Sequence, residues 1–155
     1  MFMLKSAVIT TILARLDAEL EVLLRGARAS FAAATDPDSK AENKYDTRTL
    51  EASYVARGQA RRVAELQAAR QDFAALNTSL SDSVRAGALV EVEQQGSNEL
   101  YFMGPAEGGL EVMLEGREVM VITPASPLGS RLMGARAGDD VSLPSGRKAR
   151  LLQVH

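Results

Sequence analysis

The chain has 155 residues, of which 46% are hydrophobic and 25% charged, and a formal net charge of −2. That length allows one large domain or two small ones, and that charge supplies no general attraction to nucleic acid. With no cysteine and a single histidine, His155, the chain has no material for a disulfide, a thiolate zinc site, a cysteine nucleophile or a histidine triad.

The opening segment, MFMLKSAVITTILARL, contains a short apolar run from Ala7 to Ala14. It falls well short of the ~20 apolar residues that span a membrane, and its helical period continues past Arg15. No membrane association and a cytoplasmic location are therefore expected. Ile9, Leu13, Leu16, Leu20, Leu23, Ala27 and Ser30 are spaced alternately four and three apart, which predicts a helix with a heptad seam. A second seam runs through Ala52, Ala56, Gln59, Val63, Leu66, Arg70 and Phe73, with Ala69 available to share the place of Arg70.

Between the two lies ATDPDS. Pro37 disfavours helix at Asp36, so the first helix should end near Ala34. Asp38 or Ser39 can cap the second, with Glu42 three residues beyond Ser39 completing a capping box. Two heptad helices joined so briefly predict an antiparallel hairpin over 1–77, with an acidic tip near 35–45 and a reach of about 45 Å.

NTSLSDS then breaks the pattern, and strand-like runs follow over 82–155: Ala88–Glu93, Glu99–Met103, Leu110–Leu114, Glu118–Thr123, Asp140–Leu143 and Arg147–Val154. Turn signals separate them. One short helix is expected at SPLGSRLMG, capped by Ser126, begun by Pro127 and stopped by Gly134. The class is α+β: a helical hairpin, then a small antiparallel sheet with one short helix. Met113, Met120 and Met133 are expected in its core.

Three features invite a functional reading beside a plain one. Asp38 and Glu42 either cap a helix or hold a divalent cation at the end of a probe. Mg²⁺ takes few protein carboxylates and leaves sites for water and phosphate, so two acids could complete a metal site in a partner. Lys44, Arg48, Arg57, Arg61, Arg62 and Arg70, interspersed with acids, form either a solvated mixed face or a stripe for RNA phosphate or an acidic protein. The segment ASPLGSRLMGARAGDDV shows no catalytic chemistry.

Together the hairpin, its acidic tip and TPASPLGSRLMGARAGDDV resemble the bacterial Gre transcript-cleavage factors, over nearly the whole chain in order and size. The matching residues are Ser126-Pro127-Leu128, Leu132, Gly134 and Gly138-Asp139, with Glu42-Asn43 and Tyr45 at the tip. The resemblance implies an FKBP-like C-terminal domain that docks on bacterial RNA polymerase through Ser126, Pro127 and the adjoining Leu128. It implies a finger that enters the secondary channel, where Asp38 and Glu42 help hold a shared Mg²⁺ and position water for cleavage of backtracked RNA. Lys40, Lys44 and Arg48 are candidate contacts to RNA or polymerase near the tip.

On this reading the chain is not itself an enzyme. It binds no cofactor stably, acts as a monomer, meets the nascent RNA 3′ end only indirectly, and binds no specific DNA sequence. The tip departs from the family pattern, in which the two acids are three apart. Here they are four apart, Pro37 replaces the family's glycine, and a gapless alignment puts Ala41 at the second acid. A channel regulator that does not promote cleavage is therefore a second expectation. A prolyl isomerase or chaperone module is a third; Tyr101 and Phe102, adjacent in one strand, should face opposite ways and supply no aromatic pocket for it.

Overall fold

A computed structural model describes residues 2–35 and 47–155. Two long helices come first, α1 (Phe2–Thr35) and α2 (Thr47–Ala74). Six strands follow: β1 (Leu89–Gln94), β2 (Ser97–Met103), β3 (Glu111–Leu114), β4 (Arg117–Ile122), β5 (Asp140–Ser142) and β6 (Lys148–Val154). A six-residue helix, α3 (Pro127–Leu132), lies between β4 and β5. No helix among the described residues is long and apolar enough to cross a membrane. The chain forms two compact units: residues 14–70, and residues 1–13 together with 71–155.

Unit 14–70 is a helical pair. Asp17 meets Arg70, Glu19 meets Arg62, and Gln59 lies against Gly26. As the number rises on α1 it falls on α2, so the helices run antiparallel, as the two seams predict. Leu16, Leu20, Leu66 and Ala69 are buried between them. Ala69 takes the seam position and Arg70 turns outward. A Cβ on Gly26 would come within 2.7 Å of Gln59 Nε2, so the small residue lets the amide close in.

In the other unit the stripe on α1 differs from the expected seam. Lys5, Val8 and Ile12 are fully buried, whereas Ile9 and Leu13 are only half-buried. The heptad rule assumes 3.5 residues per turn; a straight helix has 3.6, and its apolar stripe drifts accordingly. The drift runs in the right sense, but the buried positions 5, 8, 12 and 16 are stepped more widely than a 3.6-residue turn, so Ile9 and Leu13 flank the stripe. Lys5 is buried but satisfied, its ammonium donating to the carbonyls of Thr78 (3.2 Å) and Ser79 (2.9 Å). Burial, reinforced by Arg85, pushes its pKa down.

The strand order is β3-β4-β2-β1-β6-β5. Every neighbouring pair is antiparallel except β2 and β4, which run parallel with Leu100 opposite Val119. The sheet is antiparallel-dominated, as expected, with that one parallel pair inside it. After β2 the chain crosses to the far edge as β3 and returns beside β2 as β4. The β3–β4 turn is two residues, Glu115 and Gly116, both at positive φ, the geometry that matches strand twist.

Both faces of the sheet are apolar. One presents Val90, Val92, Met103, Ile122 and Leu151 to Val84, Leu132 and Leu143. On the other, Phe102 stacks on Phe73 of α2 with ring centroids 6.5 Å apart, beside Val121 and Gly104. Leu4 of α1 shares a cavity with Leu89, Leu100 and Leu114 on that side. Of the three methionines expected in the core, Met113 is 55% and Met133 40% exposed, and Met120 is half-buried. Met113 stands on an edge strand and Met133 ends a two-turn helix, so neither has a layer above it. Among the described residues, Met103 is the methionine that is fully buried.

Candidate docking site

The segment after β4 is shaped by one hydroxyl. Ser126 Oγ accepts from Gly129 N at 3.0 Å and donates to Thr123 O at 2.7 Å, fixing the entry to α3. Pro127 begins the helix, where its missing amide costs nothing. Gly134, at φ 79°, follows the last turn, as the sequence predicts. Ser126 is thus committed internally, and what it presents outward is its neighbours. Pro127 is exposed and Leu128 half-buried.

Those two residues line a groove of about 500 Å³ with Met120, Thr123, Pro144 and Gly108. Its wall is largely hydrocarbon and it contains no charged side chain. A concave, apolar, mostly preformed site of this size is where a protein or ligand can anchor. The three residues singled out from the sequence, Ser126, Pro127 and Leu128, therefore converge on one surface.

Gly129 is the residue that sequence reading missed. A Cβ there would lie 1.8 Å from Thr123 O, so no other residue allows α3 to sit this close to the end of β4. A glycine inside a six-residue helix was the available signal, because it costs helix stability unless a close approach needs it. Pro144 and Met120 had no such signal, since only the strand order brings them to the groove.

The tip residues Asp38, Lys40, Glu42 and Lys44 lie outside the described residues, and so do the capping expectations at 38–42. Arg48 lies in α2, but its side chain is outside the described ones. Further along α2 the structure decides part of the basic-stripe question. Arg62 pairs with Glu19 at 3.1 Å and with Glu65, Arg70 pairs with Asp17 at 2.6 Å, and Arg61 faces Glu65 at 3.7 Å. These guanidinium groups serve the hairpin, and the Asp17 carboxylate raises the pKa of Arg70 further. Tyr101 and Phe102 face opposite ways as expected. Phe102 is fully buried, and Tyr101 is half-buried with its hydroxyl donating to Glu99, burial and that bond raising its pKa.

No family model matches the chain, and no curated protein matches it. Solved structures similar to it include GreA factor homolog 1 (Gfh1) of Thermus thermophilus, 23% identical, covering 92% of this chain and 94% of that one with a TM-score of 0.38. A structure of the transcription factor Gfh1 is 24% identical, covering 92% of each chain with a TM-score of 0.39. Gfh1 of Thermus aquaticus is 22% identical, again covering 92% of each chain, with a TM-score of 0.38. At these identities and scores they are similarities alone, and the functional reading rests on the residues.

Proposed function

We propose that the chain is a Gre-type transcription factor that docks on bacterial RNA polymerase through the Pro127–Leu128 groove and reaches the secondary channel with its hairpin tip. The observation that carries the reading is the groove. Three of the residues that carry the sequence resemblance, Ser126, Pro127 and Leu128, line a preformed apolar surface, with Ser126 and Gly129 spent on holding its shape. The factor is not itself an enzyme. It works as a monomer in the cytoplasm and lends Asp38 and Glu42 to an Mg²⁺ that the polymerase already holds, so that the polymerase cuts its own backtracked RNA.

The test is a polymerase stalled in a backtracked state, mixed with the chain and Mg²⁺. Short RNA 3′ fragments should be released quickly. Changing Asp38 and Glu42 together to alanine should abolish release while affinity stays nearly intact, and Leu128→Asp should lower affinity itself. Cleavage that survives the double change would overturn the role of the two acids. An unaltered affinity for Leu128→Asp would overturn the docking site.

A second reading is favoured by one feature, the four-residue separation of Asp38 and Glu42. On it the chain occupies the channel and alters initiation or pausing without cleavage, and the same assay then shows binding with no fragments. The isomerase reading has no aromatic pocket among the described residues, since Phe102 is covered by Phe73.

A further inference from the structure

On the same side of the sheet as Met120, a second cavity of about 400 Å³ opens toward the β3 edge, lined by Glu99, Tyr101, Glu111, Arg117, Glu118 and Met120. Met120 belongs to both this cavity and the Pro127 groove, so the two surfaces are continuous. Met113, paired with Glu118 across the strands, adds an exposed apolar side chain beside it.

Two features tell what would fit. The first is the strand edge. β3 pairs only with β4 among the described residues. Val121 N donates to Leu110 O, so the alternation of an antiparallel ladder turns the main-chain groups of Val112 and Leu114 toward β4 and those of Met113 away from it. An edge that carries an exposed large apolar residue is a template for another strand. The second is charge. Glu99 and Glu118 line the cavity, and the guanidinium of Arg117 is drawn toward Glu91, 3.1 Å away.

We propose that the β3 edge and the Tyr101–Met120 cavity form a second docking surface, which takes an extended, basic segment of the same partner with an apolar side chain set against Met113 and Met120. The inference rests on the groove being a polymerase-docking site. It adds a strand-pairing contact of opposite charge beside it. The groove supplies an apolar anchor; the edge supplies register and charge selection.

The test measures the affinity of the full chain for RNA polymerase at low and high salt, with three variants. The first combines Glu99→Lys and Glu118→Lys. The second is Met113→Pro, which removes only a main-chain donor directed away from β4 and is tolerated on edge strands. The third is Leu128→Asp, as the report on the groove. The charge-reversed variant should bind roughly tenfold more weakly at low salt and lose most of its difference at high salt. Met113→Pro should weaken binding by a similar factor at both. If both bind like the unmodified chain while Leu128→Asp binds poorly, the second surface is overturned and the groove stands. If Leu128→Asp also binds normally, the docking reading fails and takes the inference with it. Thermal melting checks the fold of Met113→Pro. Should that variant be unfolded, the charge-reversed pair decides alone.

Discussion

The two compact units are held by different kinds of contact. Among the described side chains of residues 14–70, ion pairs at the surface, Asp17 with Arg70 and Glu19 with Arg62, flank a seam of Leu16, Leu20, Leu66 and Ala69. Gln59 Oε1 is buried beside it with no hydrogen-bond partner among the described residues. In the sheet unit, large apolar side chains close over both faces, and the polar groups they bury are paired, as Lys5 is with two carbonyls. Exposed pairs contribute little because water competes for both partners, whereas buried apolar area is removed from water outright. The comparison therefore predicts that single substitutions will be costly in one unit and mild in the other.

Phe73 gives the largest expected effect. It is fully buried, stacks on Phe102, and its ring lies 2.8 Å from where a Cβ on Gly104 would stand. Phe73→Ala should cost about 3–5 kcal/mol, the range for emptying a large aromatic site that cannot collapse. Urea denaturation should show the loss as a lower midpoint, and Phe73→Leu should recover much of it. A change below about 1 kcal/mol would mean the contact between α2 and the sheet is loose, and the comparison would break.

Gly129 comes next. With Thr123 O only 1.8 Å from the position of a new Cβ, Gly129→Ala must push α3 off the end of β4. The expected cost is about 2–3 kcal/mol, as for overpacking against a backbone that cannot change rotamer. Removing the cap by Ser126→Ala should cost about 1 kcal/mol. Because Pro127 and Leu128 ride on α3, the proposed docking role predicts that Gly129→Ala also lowers polymerase affinity in the binding assay, by more than Ser126→Ala does. Equal effects from the two would show that the cap, not the close approach, sets the groove.

The same contrast explains what could be read in the sequence. The strands of the second half stood out because they alternate over short spans between strong turn signals, and each was placed to within two residues of its observed bounds. α3 was legible from Ser126, Pro127 and Gly134, since caps are local chemistry. The parallel pairing of β2 and β4 was not, because it depends on which edge β3 takes, and nothing in EVML states that. The exposure of Met113 and Met133 was hidden for the same reason: a residue type gives its preference for burial, but the topology decides whether a covering layer exists. Lys5 was missed because a charged residue at a seam position reads as a solvent position. It becomes a buried one only when the carbonyls of Thr78 and Ser79 arrive from more than seventy residues away. Ser126-Pro127-Leu128 was legible as a string, but the groove it lines needed Met120 and Pro144 to be brought alongside.

The smallest expected effect lies in the hairpin, and it is the sharpest test of the comparison. Arg70 and Asp17 make a short contact, 2.6 Å between Nε and Oδ1, with a second, longer one from Nη2 at 3.4 Å. The geometry is close to the paired fork that favours arginine with carboxylate. Yet both side chains remain about half exposed, at 45% and 49%. In that setting the Coulomb attraction is screened, and the entropy of holding two long side chains opposes it. Arg70→Ala should therefore move the melting midpoint far less than Phe73→Ala. The difference from the unmodified chain should shrink further as salt is raised, and Asp17→Ala should match it. A double change should be no worse than either single one, since the two act through the same contact. A large, salt-insensitive loss from Arg70→Ala would mean that its aliphatic stem, next to Ala69 in the seam, carries the stability through packing.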